Sequence, residues 1–281
     1  MPNESKKKYI VWLMSSIFAV AIIGVALLRM YDDLPFQLPF QSNQNRDAAY
    51  IRIKNLGAGL VETGAIDKEK FLRLYEQNES LKSEAEKILS GQVDKLKVTE
   101  ENAQLVLNIL WAIGLGNKNP ILEEGPMTTR YGNAGNFSST VGWIVSEGQP
   151  MEHYNKHEFI RLTSDQQKLV EEAARQIYRP CCDNSTYFPD CNHGMAMLAL
   201  LELLASEGAT LDEMYETALS MNVFWFPDSY ATIAQYMDET GIKNISAKEI
   251  LGRDYSSLSG FSKVASKVNQ VGRQGSSCSV S

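Results

Sequence analysis

Twenty consecutive residues, Tyr9 to Leu28, carry no charge and are almost wholly apolar. At the helical rise such a run spans about 30 Å, the thickness of a bilayer's hydrocarbon core. A buried helix of a soluble domain rarely runs that long without a charge, so the expectation is a transmembrane anchor. Lys6, Lys7 and Lys8 precede the run, and Arg29, Asp32 and Asp33 follow it. The lysine excess predicts a cytoplasmic N-terminus, a single pass and an extracytoplasmic bulk. Trp12 and Tyr31 suit the two interfaces. A cleaved signal peptide would have an apolar core of about 7–15 residues and end in small residues. Leu27-Leu28-Arg29-Met30 offers no such site, so the anchor is expected to remain.

Charge bounds the partners of the remainder. The chain of 281 residues has 27 Lys plus Arg and 34 Asp plus Glu, a net −7. Setting aside residues 1–30, with four basic residues and one acid, leaves 23 against 33, a net −10. Phosphate binding needs a concentrated basic face, and none is visible, so nucleic acid is excluded as an expected partner. An acidic ectodomain also has no reason to lie on an anionic membrane, so contact with lipid is expected only through residues 9–28. It can attract cations.

The spacing of apolar and capping residues divides the chain into five parts. Residues 1–31 are stub and anchor. Residues 32–46 are a linker, where Pro35 and Pro39 bar helix. Residues 47–160 form a helical N-terminal part with a Gly-rich loop, residues 161–260 a helical Cys/His-bearing part, and residues 261–281 a flexible Ser- and Gly-rich tail. The pattern predicts a helix over Asp47 to Glu62, weakened by Gly57 and Gly59, and a charged helix capped by Asp67 running to about Leu89. Thr99 opens a largely buried helix through Leu115. Thr163-x-x-Gln166, Thr210-x-x-Glu213 and Ser246-x-x-Glu249 are capping boxes before three further helices. Asp228 opens another helix, ended by Gly241. Met195 to Ala205 is apolar nearly all round and is expected to be the buried central helix. Phe137 to Ser146 is the best candidate for strand, as a small hairpin. The fold class read from this pattern is mainly α.

Gly64-Ala65-Ile66-Asp67 imitates the second half of an EF-hand loop. Aligning Gly64 with the loop's glycine puts Gly59, Val61 and Thr63 at acidic ligand positions and Lys70 at the bidentate glutamate, so the mimicry binds no calcium.

The chemistry concentrates in one stretch. Six of the chain's seven Cys and His residues lie between His153 and His193. Cys181, Cys182, Cys191 and His193 offer a set of three thiolates and an imidazole, ligands typical of zinc and copper. Cys191-x-His193 puts two ligands on one short turn at the head of the expected buried helix. Against this, adjacent side chains diverge in strand and helix, so Cys181 and Cys182 can share one ion only across a turn. If one drops out, His153 or His157 could complete the set, although their segment has a poor helical pattern and suits exposed loop histidines. Met195 and Met197 raise copper(I) as the ion, against their ordinary role as core filler.

Two other readings compete. A disulfide from Cys181 or Cys182 to Cys191 would close a loop of about 10 residues, worth about 2–3 kcal/mol, and would make the domain a stapled scaffold or interaction module. A catalytic thiol near a helix N-terminus and a histidine would make it a redox enzyme, but the Cys-x-x-Cys spacing and α/β pattern of such sites are missing.

The remaining features have plainer readings. Gly125 to Gly148 reads as a surface connection, having no phosphate-loop lysine pattern. Val223-Phe224-Trp225-Phe226-Pro227 reads as a plug at the base of a helical core. Glu100, Glu101, Glu123, Glu124, Glu171 and Glu172 suit first turns and exposed faces, and nothing marks a catalytic pair. Cys278 sits four residues from the end, but Ser279 spoils a prenylation box. Taken together, these residues make a membrane-anchored, extracytoplasmic metal-binding protein the first expectation, with zinc or copper as its ion.

Overall fold

A computed structural model of the protein describes residues 49–268. The apolar run 9–28, the linker 32–46 and Cys278 lie outside the described residues. Within them the chain is mainly helical, as its pattern predicts, and no helix is long and apolar enough to cross a membrane.

The first element is a strand, contrary to the helix expected from Asp47. β1 (Tyr50–Arg52) pairs antiparallel with β2 (Lys95–Lys97), with Ile51 opposite Leu96. Ile51 and Ile53 are buried while Tyr50 and Arg52 face out, a period of two that a helix cannot satisfy. Helix begins only at α1 (Leu56–Glu62), where Gly57 lies directly under the carbonyl of Ile88 and a side chain would collide with it.

The charged helix expected from Asp67 to Leu89 is two helices. Asp67 caps α2 (Lys68–Arg73), accepting from Lys70 N at 3.1 Å, in agreement with the capping role read for this EF-hand mimic. Asn78 then caps α3 (Glu79–Leu89), accepting from Leu81 N at 3.1 Å. The break lets α2 lay Phe71 against Trp143 while α3 turns Ala85, Ile88 and Leu89 inward. One straight helix could not aim both sets at the core.

α4 (Ala103–Gly116) is buried along almost its whole length. Thr99 does not cap it directly. Thr99 and Asn102 exchange backbone-to-side-chain hydrogen bonds in a turn, and the helix starts after Asn102. Two short helices follow, α5 (Pro120–Glu124) and α6 (Pro126–Thr129), then a 3₁₀ turn (Ala134–Asn136) and α7 (Ser138–Val141). The hairpin expected over Phe137 to Ser146 is therefore replaced by helical turns. Neighbouring Ser139 and Thr140 are both buried, which the alternation of a half-buried strand forbids, and Trp143 is anchored inside by Nε1 donating to Ala65 O at 2.8 Å.

α8 (Ser164–Gln176) opens on the Thr163/Gln166 capping box. α9 (Asn192–Ser206) is buried on all sides and lies against α4 in the most extensive helix–helix contact among the described residues. Gly114 permits this approach: a side chain there would run into the carbonyl of Met195. α10 (Leu211–Trp225) opens on the Thr210/Glu213 box, α11 (Pro227–Thr240) ends at left-handed Gly241, and α12 (Ala247–Ile250) opens on the Ser246/Glu249 box. α13 (Arg253–Ser256) and α14 (Leu258–Lys267) complete the described chain. The segment expected to loosen from Phe261 is helical to Lys267, capped by Ser257, with Val264 buried.

Candidate metal centre

The chain leaves α8 at Gln176 and turns sharply at Arg179-Pro180-Cys181-Cys182, where Cys182 N donates to Arg179 O at 3.3 Å. That turn resolves the difficulty posed by adjacent cysteines, because both side chains project from one bend. The chain then loops through Asp183–Asp190 and enters α9 with Cys191 as N-cap, its sulfur accepting from Gly194 N at 3.4 Å. His193 sits in the first turn of α9, buried, with the rings of Phe226 and Trp225 at 4.4 and 5.9 Å. The aromatic run Val223–Phe226 is itself buried, so it is a core plug that also walls the histidine.

Three sulfurs converge. Cys181 Sγ lies 3.5 Å from Cys191 Sγ and 3.9 Å from Cys182 Sγ, and Cys182 lies 4.0 Å from Cys191. His193 Nδ1 is 3.9 Å from Cys181 Sγ. A tetrahedral ion with metal–sulfur bonds of about 2.3 Å spaces its sulfurs about 3.8 Å apart. Two triads have ligand atoms within 4.8 Å of one another: Cys181–Cys191–His193 and Cys182–Asp190–Cys191. Among the described residues no disulfide joins Cys181, Cys182 and Cys191.

Arg179 is the organising cation of the loop. It is 1 % exposed. Nε donates to Cys191 Sγ at 3.1 Å, Nη1 to Asn184 O at 3.0 Å, and Nη2 to Asp190 Oδ1 at 2.7 Å and Phe188 O at 3.3 Å. Its fork thus ties the whole loop to Cys191. Burial works against its charge, but the sulfurs of Cys191, Cys182 and Cys181 and the Asp190 carboxylate prevail and hold it still more firmly protonated. Gly194 makes room: a Cβ there would come 2.5–2.6 Å from the guanidinium. At Cys182 the Cys181 sulfur favours the thiolate, but the Cys191 sulfur and burial outweigh it and push the thiol up to about 12. A cation between the sulfurs would reverse that balance, because it stabilises thiolate directly.

The other histidines are elsewhere. His153 and His157 bond each other, Nδ1 to Nε2, at 3.1 Å, and His153 Nε2 donates to Glu147 O at 2.8 Å. Neither belongs to the two triads. His153 is buried, so the expected exposed loop histidines are replaced by a packed pair. Burial first, then His153 and Lys156, lowers the pKa of His157. Met195 and Met197 lie in the core of α9.

Sequence reasoning also missed two features, one beside the site and one farther along α9. The Gly-rich stretch packs beside the cysteine loop: Ser139 N donates to Asp190 O at 3.0 Å, and Tyr131 and Phe137 pack on Phe188 at 5.5 and 5.3 Å. Glu202 is fully buried on α9, with Oε1 accepting from Asn119 Nδ2 at 2.5 Å. A lone carboxylate on a helix apolar all round was its signal. No protein-family model, curated protein or solved structure matches the chain.

Proposed function

We propose that this chain is a membrane-anchored, extracytoplasmic metal-binding protein, holding one zinc or copper(I) ion through Cys181, Cys182, Cys191 and His193. The observation that carries the reading is the convergence of three sulfurs at 3.5–4.0 Å beside a buried imidazole, at the head of the central helix. Those separations fit the edges of a tetrahedral thiolate site. The address rests on the uncharged run Tyr9 to Leu28 and the lysines before it. Zinc would pin the Cys loop to α9; copper(I) would serve metal handling or electron transfer.

Elemental analysis tests the reading, on full chain purified from an oxidising compartment without chelator, with thiols counted on the same sample. The expected result is about one zinc or copper per chain, lost in both Cys191→Ser and His193→Ala. A metal-free protein in which two thiols react only after reduction makes the loop a disulfide staple and ends the metal reading. Labelling of the partly exposed Cys181 and Cys182 by an impermeant thiol reagent on intact cells, in a chain carrying Cys278→Ser and after metal removal, checks the address.

A further inference from the structure

The four ligands are not equivalent. Cys191 and His193 are buried and fixed on the first turn of α9. Cys181 belongs with them in one triad, whereas Cys182 belongs to the other, with Asp190 and Cys191. Cys182 also has somewhere to go: its sulfur lies 3.8 Å from Asp190 Oδ1 and 3.9 Å from Asn184 O. Asp190 is held for that role by Arg179 Nη2 at 2.7 Å and Asn184 Nδ2 at 2.8 Å, so it is an acceptor kept in place.

Resting on the metal reading above, we infer that Cys181, Cys191 and His193 form the permanent core of the site and that Cys182 is an exchangeable fourth ligand, replaced during metal transfer by a small-molecule thiol. The step balances without redox chemistry. The incoming thiol, R–SH, forms a metal–sulfur bond and gives up its proton; the metal–Cys182 bond breaks, and the Cys182 sulfur takes that proton as a thiol directed at Asp190. The approach suits a small thiol. Leu258 N donates to Cys182 O at 3.0 Å and Ser259 N to Asp183 Oδ1 at 2.9 Å, so the start of α14 is bonded to the same loop and restricts a folded partner.

The test uses the full chain carrying Cys278→Ser, with Co²⁺ as the spectroscopic probe and 2-mercaptoethanol as the thiol. The unmodified core is expected to bind one Co²⁺ with strong sulfur-to-metal charge transfer. Cys182→Ser should still bind one, with weaker charge transfer and a partial loss of affinity. Cys181→Ser should lose more than that. Added 2-mercaptoethanol should restore the missing intensity in Cys182→Ser and not in Cys181→Ser. If Cys182→Ser loses cobalt as completely as Cys181→Ser, the site is a closed four-ligand cage and the inference fails. If its spectrum equals that of the parent, Cys182 never ligates and the inference fails equally. If the parent itself binds no Co²⁺, the metal reading falls and takes this inference with it.

Discussion

Glu202 sets a pH dependence that can be worked out from its surroundings. The carboxyl lies wholly inside, on α9, with Asn119 Nδ2 on Oε1 at 2.5 Å and no protein partner for Oε2. Gln167 completes the amide cluster, bonded to Asn119 at 3.1 and 3.2 Å. Burial raises the Glu202 pKa to about 8, only partly opposed by the Asn119 and Asn117 amides. In the unfolded chain the same group titrates near its ordinary value of 4.5. Between those two values the folded protein keeps a proton that the unfolded chain has released. Stability therefore falls as pH rises through this window, and the slope vanishes above about 8. At about 1.4 kcal/mol per unit, the full window amounts to about 5 kcal/mol, an upper bound set by complete burial.

The perturbation is Glu202→Gln, which keeps the shape and removes the charge. Near pH 5 the variant should match the parent to within about 1 kcal/mol, since an amide replaces a protonated acid. At pH 8 it should be the more stable by several kcal/mol, on the order of 3–5. Urea unfolding of both proteins at each pH from 5 to 9 measures the difference, and subtraction cancels the histidines that titrate in the same range. Parallel stability curves would refute the reasoning, because they require Glu202 to ionise inside the fold as freely as outside it.

The other consequences are simpler. Gly194→Ala drives a methyl into the Arg179 guanidinium and should cost about 1–3 kcal/mol while releasing the Cys loop, read as a lower Tm together with weaker zinc retention. Asn78→Ala removes the cap that separates α3 from α2 and should cost about 1 kcal/mol in urea unfolding with no change in metal content. Chelation of the metal-loaded protein should lower stability by about 2.7 kcal/mol if free metal had stood at 100 times its Kd, and an unchanged melting curve would mean the ion does not bind the folded state preferentially.

What was legible in the sequence was local. The capping boxes at Thr163, Thr210 and Ser246 all stand where their spacing placed them, because donor and acceptor are three residues apart. Asp67, a decoy for calcium, caps as its position beside Lys70 implies. The all-apolar stretch Met195 to Ala205 had to be enclosed, and it is. Errors arose where a local signal was overridden by what lay across the core. Asn78 interrupts a pattern that charge alone would continue, because Phe71 must meet Trp143 while Ile88 faces α1. Phe137 to Ser146 was read for strand, but Trp143 fills a hole whose other walls are Trp111 and Phe71, at 5.1 and 6.4 Å, and helical turns deliver it there.

The ionisable groups show the same limit more sharply. The role of Arg179 was hidden because its acceptors are dispersed over Asn184, Phe188, Asp190 and Cys191, 5 to 12 residues further along a loop. Glu202 showed only as a lone carboxylate on an apolar helix, because its partner Asn119 is 83 residues away. Both are buried on or against α9, a helix enclosed along almost its whole length. An apolar enclosure makes an unpaired charge costly, so each group is tied to fixed partners, and each partner is thereby positioned. At the Glu202 end the solution is a retained proton. At the Cys191 end Arg179 cannot lose its proton, so compensation must come from anions brought to it: the Asp190 carboxylate, and sulfur once it is thiolate. Asp190 already balances the guanidinium, so any thiolate formed at Cys191 would add negative charge beside a cation that is held in place and donates to it.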